Sequence, residues 1–383
     1  MPDGGSPVTW DLVVVGVGPP GARLARGAAL AGHDVLAFEQ GEIGKPLACS
    51  GHVSTDIWAF TDEGAREELL QNEVYGARFH VGGPDSRAYP FYRDEVVSNV
   101  IDRVGLDSHL AERAAAAGAD VRDEHTVTAI EERSDGVTVT ASGPDGTETV
   151  ETRLVAGCDG PRSRVRDALG LPEPDEFLHG VLAFDPEPDH QDFVDVHLTV
   201  PGFFAWRIPR GDAGVEYGLA ARPGADVGAR FERLVDTYDA TVEERCSGLI
   251  PIGPPGRVTS RRGLLVGDSA GQTKPFTGGG ILYGMRAADH AVEVIDPRRP
   301  ETLAAYERRW RGDLSRDIRL GHWIRRCYDL PEPLQHVGLR LTSGRIGVHM
   351  DRPTSLFSRA HLRAMLPTGR RPAGSVAGGD DGR

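Results

Sequence analysis

The chain has 383 residues, 39% of them hydrophobic, with 57 acidic against 43 basic side chains and a formal net charge of −14. That length suits two domains, or one large domain with an inserted layer, and the acidic balance excludes generic nucleic-acid binding, which needs a basic face. Arginine has almost displaced lysine, leaving only Lys45 and Lys274, a surface suited to concentrated salt or a GC-rich genome.

The first ten residues, MPDGGSPVTW, lack the basic start and apolar core of a signal peptide. DLVVVGVGPPGARLARGAALAGHDVLAFEQ then predicts strand, tight turn, helix and strand. Leu12–Val15 is a continuous apolar run, as in a parallel strand covered on both faces. The helix runs from about Pro20 to Ala31 and stops at Gly32; the next strand, Val35–Phe38, ends in Glu39. A second helix extends to about Ala117 and stops at Gly118. HTVTAIEE, GVTVTASG and TETVETRLVAGCDG alternate polar with apolar residues and are joined by SDG and PDG turns, so a small antiparallel unit follows. Residues 172–256 carry further strand-like segments rich in proline and aromatics. GLLVGDSAG returns to a buried strand, and a long amphipathic helix covers about 300–328.

Gly16, Gly18 and Gly21 form G-x-G-x-x-G between the first strand and helix, with Glu39 18 residues after Gly21. Such glycines let a pyrophosphate sit on the helix N-terminus, while the acid accepts from a ribose 2′-OH. A free 2′-OH fits FAD or NAD. Three further motifs point to the flavin: Asp159-Gly160 in CDGPRSRVR, Gly267-Asp268 after a buried strand, and Arg103 before a helix. A ribityl chain needs an acceptor such as Asp268. A flavin ring needs backbone N–H donors at close approach, which Pro275, Gly278, Gly279 and Gly280 in KPFTGGG can provide. The second K-P loop, GEIGKPLACSGH, carries Lys45, Cys49 and His52 and is expected to form another wall of the same pocket.

These motifs resemble the para-hydroxybenzoate-hydroxylase-type flavoproteins. KPLACSGHVS, CDGPRSRVR and GDSAGQTKPFTGGGILYGMRAAD more narrowly resemble the geranylgeranyl reductases of archaea, over about residues 11–330. The resemblance, with the arginine-rich acidic composition, implies a haloarchaeal FAD-dependent oxidoreductase that reduces isolated prenyl double bonds of isoprenoid lipids. Its electron donor would be NAD(P)H, ferredoxin or a deazaflavin. Cys49 is the candidate proton donor, with Lys45 and His52 as further catalytic candidates, and Phe204 and Trp206 would line the substrate tunnel. The family's Y-x-W-x-F-P signature is altered here to Phe204-Ala205-Trp206-Arg207-Ile208-Pro209. That stretch equally resembles the W-x-W-x-I-P of flavin-dependent halogenases. A flavin monooxygenase or halogenase, or a redox-silent FAD-binding protein, therefore stays open.

The expected fold class is α/β: a Rossmann-like FAD-binding domain with an inserted antiparallel β substrate domain and C-terminal helices. Residues 8–170 form the first part of the FAD-binding domain, 171–256 the substrate domain and 257–300 the return segment. A helical region, 301–366, and a disordered tail, 367–383, complete the chain. Cys49, Cys158, Cys246 and Cys327 lack CxxC spacing, so no metal site or disulfide is expected. No run of about 20 apolar residues is available to span a bilayer, which places the protein in the cytoplasm, at most peripheral to the inner membrane face. The long helix puts Leu303, Tyr306, Trp310, Leu314 and Ile318 on one stripe. Opposite lie Arg308, Arg309, Arg316, Arg319 and Arg326, a face for solvent or for anionic headgroups.

Overall fold

The structure, a computed structural model, describes residues 10–45, 49–344 and 351–353. The expected tail 367–383 and the end of the helical region lie outside the described residues. In chain order the first part runs β1 (Trp10–Val15), α1 (Pro19–Leu30), β2 (Val35–Phe38), β3 (His52–Ser54), α2 (Ala65–Leu69) and β4 (Leu70–Val74). Next come β5 (Gly76–His80), β6 (Ala88–Tyr92), β7 (Ser98–Ile101), α3 (Arg103–Ala116) and β8 (Asp120–Arg122). Then follow β9 (Thr126–Glu132), β10 (Val137–Gly143), β11 (Gly146–Gly157) and α4 (Arg164–Ala168). The middle is β12 (Glu176–Asp185), β13 (Phe193–His197), β14 (Ala205–Pro209), β15 (Val215–Ala221), α5 (Val227–Thr237) and β16 (Glu243–Ile252). The chain returns through β17 (Gly263–Leu265) and α6 (Ile281–Val294), and ends in α7 (Leu303–Arg326) and α8 (Glu332–Thr342).

The apolar run 12–15 lies at the centre of the first sheet, ordered β8-β2-β1-β11-β10-β9 with β17 beside β11. The pairs β1–β2, β1–β11, β2–β8 and β11–β17 are parallel. Val13, Val14, Leu36, Ala37, Leu154, Val155 and Ala156 are all fully enclosed, in one core with residues of α1, α3, α6 and the β9–β10 hairpin. β11 serves three partners, β10, β1 and β17. Its first half alternates exposed and half-buried residues against β10, and its last four residues are buried beside β1. The helix α1 packs so closely on α6 that a Cβ on Gly27 would lie 2.6 Å from Val292 Cγ2.

The second sheet has the order β16-β12-β15-β14-β13-β5-β6. It is antiparallel except where β5 joins β13. Two of its strands, residues 76–92, thus come from within the stretch 8–170 expected to serve the first domain. They form a hairpin through the Gly82-Gly83 turn, and its outer pairing gives β13 the edge partner that the later strands do not provide. A three-stranded sheet, β3-β7-β4, lies in the chain between the two large sheets. The amphipathic α5 buries Phe231, Leu234 and Val235 in one cluster with Val215, Tyr217 and Leu219 of β15. Strand residues alternate faces, so Trp206, Ile208, Glu216 and Gly218 share the opposite side.

α7 buries the expected stripe of Leu303, Tyr306, Trp310, Leu314 and Ile318. No described helix is long and apolar enough to cross a membrane.

Candidate active site

At the first turn, Gly16 has φ +93°, and a Cβ there would lie 2.4 Å from the Cys158 carbonyl oxygen. Only glycine lets β1 turn this tightly against the end of β11. Gly18 caps α1 without a side-chain bond, no acid occupies the first turn, and nothing lies within 4 Å of where its Cβ would be. The free N–H groups and positive dipole end of α1 therefore face open space suited to a phosphate. Gly21 packs against Gly16, with its missing Cβ 1.9 Å from the Gly16 oxygen. Glu39 accepts from Val17 N at 2.7 Å and Gln40 N at 2.9 Å, while burial pushes its carboxyl up.

The two strand-end aspartates differ. Asp159 accepts from Ser163 Oγ at 2.6 Å and Val165 N at 3.1 Å, so both its oxygens serve the start of α4; Gly160 follows at φ +75°. Asp268 lies in the turn that Gly267 opens after β17, and its side-chain carboxyl receives no hydrogen bond among the described residues. Burial pushes it up to about 6, against the pull of Arg103. A Cβ on Gly280 would lie 2.4 Å from its Oδ1. The glycine loop thus runs directly over an acceptor that the protein leaves unused.

Arg103, at the start of α3, is 5% exposed and forks onto Asp107, with Nη2 donating to Oδ2 at 2.9 Å. Its Nε is buried without a partner. Its guanidinium also lies within electrostatic reach of the half-buried Cys49 thiol. Arg103 therefore acts electrostatically on both Cys49 and Asp268.

The loops meet, but the two lysines part. Lys45 lies at the rim, its side chain 57% exposed and its ammonium 2.9 Å from Glu42. Lys274 is buried and ion-paired with Asp351 at 2.6 Å. Ser54 Oγ donates to the same carboxylate, and Tyr283 OH donates to the Asp351 carbonyl at 2.9 Å. Lys274 N donates to Gly279 O at 3.1 Å, and a Cβ on Gly279 would lie 2.8 Å from Lys274 Cε, so the pair braces the loop from behind. Pro275 packs on α7, where a Cβ on Gly321 would be 2.9 Å from its ring. His52 Nε2 lies 2.8 Å from Ser98 Oγ; enclosure and the Lys274 ammonium push its pKa down to about 4. His52 is neutral at neutral pH.

The second sheet turns an aromatic wall toward this loop. Phe204 stacks on Phe203 at 4.3 Å and meets the edges of Tyr328 at 5.7 Å and Trp206 at 5.9 Å. A Cβ on Gly278 would lie 3.3 Å from both Phe203 and Ile250. Trp206 lies over Gly218 and donates from Nε1 to Glu216 Oε1 at 2.8 Å. Glu216 is fully buried, which pushes it up to about 7, and Arg210 approaches its other oxygen at 3.1 Å. Arg210 also donates to the Ser50 carbonyl, beside Cys49, at 2.7 Å. Ile208 packs with Val74, Val100 and Val194. Sequence reasoning missed Glu216, Arg210, Phe203, Tyr328 and Asp351. A charged Glu216 in the strand VEYGLAA, otherwise apolar, was the one available signal.

These donors and acceptors fit FAD: an uncapped helix N-terminus, a free carboxylate under a glycine loop, and an orphaned guanidinium N–H between them. An FAD binding domain model matches residues 9–203. Digeranylgeranylglycerophospholipid reductase 2 of Methanothermobacter thermautotrophicus is 30% identical over 340 residues, covering 84% of this chain and 88% of that protein. The chain belongs to the geranylgeranyl reductase family of FAD-binding proteins. A geranylgeranyl bacteriochlorophyll reductase-like structure from Thermoplasma acidophilum superposes with TM-score 0.82 at 22% identity, over 94% of this chain and 98% of that one. CmlS, a flavin-dependent halogenase, shares the fold with TM-score 0.65 at 19% identity, over 92% of this chain and 71% of its own. The reductase family's FAD is this chain's cofactor. No cluster of potential metal ligands occurs among the described residues.

Proposed function

We propose that this chain saturates isolated double bonds in the prenyl chains of isoprenoid lipids, of the digeranylgeranylglycerophospholipid class for which its relatives are named. The observation that carries this reading is the convergence on one glycine loop. The Cys49 thiol meets Arg103, Arg103 acts on Asp268, and Asp268 lies against Gly280. The wall of Phe203, Phe204, Trp206 and Tyr328 closes on the same loop at Gly278.

In this reading the N-terminus of α1 carries the pyrophosphate, Glu39 the ribose and Asp268 the ribityl hydroxyls. An isolated alkene is a poor hydride acceptor, because no carbonyl takes up the developing charge. Saturation requires a hydride on one carbon and a proton on the other. Bound FAD, once reduced, supplies the hydride. Cys49 Sγ supplies the proton, Arg103 stabilises the thiolate left behind, and solvent restores the thiol. The aromatic wall holds the prenyl chain and keeps water away from the reacting carbons. NAD(P)H, ferredoxin or a deazaflavin delivers the electrons, and peripheral contact with a membrane gives access to the lipid.

The test is mass spectrometry of a prenyl lipid after incubation with chemically reduced, FAD-loaded protein. The reading expects products heavier by one pair of hydrogens per bond. Unchanged lipid after full flavin turnover contradicts it.

A further inference from the structure

The helix α8 is inside out. It buries Gln335, 7% exposed, whose Nε2 donates to the Tyr328 carbonyl at 2.8 Å, and it turns His336 inward to Tyr89 OH at 2.9 Å. Three of its apolar side chains point away from the protein. Leu334 and Val337 are each 55% exposed and Leu341 is 78% exposed, with Leu330 at 41% just before the helix. The spacing 334-337-341 puts the three α8 side chains on one stripe, with Leu330 in the extended turn before it. A globular helix buries such a stripe; an exposed one marks a surface that meets a partner.

The outer edge of α7 leads into it. Arg316, Arg319, Trp323 and Arg326 recur at helical spacing and are all exposed. The Arg326 guanidinium lies 4.6 Å from the centre of the Trp323 ring. Neighbouring Arg309, Arg311 and Arg325 are ion-paired. Arg316, Arg319, Arg326 and Arg340 form no ion pair among the described residues. Unpaired arginines, an exposed tryptophan and a stripe of leucines are the composition of a surface that lies in a headgroup layer.

We propose that the α8 stripe and the outer edge of α7 dock on an anionic lipid bilayer. The choice of a bilayer rests on the prenyl-lipid reading above, because α8 hangs from the cavity wall. Tyr328, in the turn that opens into α8, donates to the Phe276 carbonyl at 2.8 Å and meets Phe203 and Phe204 edge-on at 6.4 and 5.7 Å. A two-fold contact between copies would instead bring two such arginine-bearing patches together.

Flotation of the FAD-loaded full chain with phosphatidylcholine vesicles, with and without phosphatidylglycerol, tests the proposal. The protein is expected to float with the anionic vesicles and less with the neutral ones. Leu334→Asp with Leu341→Asp should lower the bound fraction about tenfold or more, with melting temperature and flavin content unchanged. Arg319→Glu with Arg326→Glu should abolish the preference for anionic vesicles. The proposal fails if the wild type does not float, or if the leucine variant floats equally well. It also fails if that variant converts a dimer into a monomer, which would make the stripe a copy-to-copy contact. A detergent-dispersed prenyl substrate separates the two readings. Flotation without reduction of that substrate removes the prenyl reading alone, and reduction without flotation removes the docking surface alone.

Discussion

Lys274 and Asp351, 77 positions apart, form an ion pair 2.6 Å long in which the lysine is 4% exposed and the aspartate is fully buried. It ties the glycine loop to a segment beyond α8 and, through Ser54, to β3. Removing Lys274 takes the buried ammonium away from the buried Asp351 carboxylate. Lys274→Met is therefore expected to destabilise the protein by about 3–5 kcal/mol, and Lys274→Met with Asp351→Leu by less. Denaturant unfolding of the two variants checks this. A double variant less stable than the single one contradicts it.

Asp268 and Asp159 look alike in the sequence but have different partners. Asp159 spends its oxygens on Ser163 and Val165, whereas the Asp268 carboxyl has no donor among the described residues. Asp268→Ala should weaken FAD binding by roughly 1.5–3 kcal/mol, about 10- to 150-fold, without lowering the melting point of the FAD-free protein at neutral pH, where the buried carboxylate itself costs stability. Asp159→Ala should lower stability by about 0.5–2 kcal/mol, the range for a lost helix cap, and affect FAD less. Equal FAD affinities in the two variants contradict the assignment.

The local parts of this site were legible because local chemistry forces them. Gly16 must turn under Cys158, and Gly280 must leave room for Asp268, so both appear as glycines in fixed motifs. The buried strands of the first sheet appear as unbroken apolar runs. What lies between distant segments leaves no such trace. Nothing near Lys274 announces Asp351, and nothing in PGFFAWRIP announces that Trp206 donates to Glu216. The expected first-domain range 8–170 takes in residues 76–92 by their place in the chain, yet the partner of β5, β13, lies more than a hundred residues later. Lys45 and Lys274 share a K-P context, but neighbouring charges and burial send one to the rim and the other inward.

Glu216 gives a pH dependence of known sign. Burial raises its pKa from 4.5 to about 7, so between these values the folded state holds a proton that the unfolded state has released. Stability contributed by this group is present below about pH 4.5 and falls as the pH rises toward 7, by up to about 3 kcal/mol. Asp268, raised from 3.8 to about 6, acts in the same direction over a lower window. Glu216→Gln should flatten the upper part of the slope in unfolding free energy against pH. An unchanged slope in that variant contradicts the burial of a titrating carboxyl behind Trp206.

Cys49 is expected to act on the alkene rather than on the flavin. Cys49→Ala should keep the yellow colour and a normal rate of flavin reduction, while lipid saturation slows by about 10²–10⁴-fold, as for a lost general acid. Cys49→Ser separates size from acidity, because serine fills the same space but holds its proton more tightly. Wild-type saturation rates in both variants would leave Cys49 as a loop residue beside Arg103 and move the proton source to solvent.

The most direct measurement follows flavin and lipid together. FAD-loaded protein is reduced, mixed without oxygen with a digeranylgeranyl lipid, and watched for return of the oxidised flavin band while samples go to mass spectrometry. The account predicts that the band returns only with lipid present, in step with the appearance of lipid carrying added pairs of hydrogens. A band that stays bleached until oxygen is admitted, with the lipid unchanged or oxygenated, would contradict it.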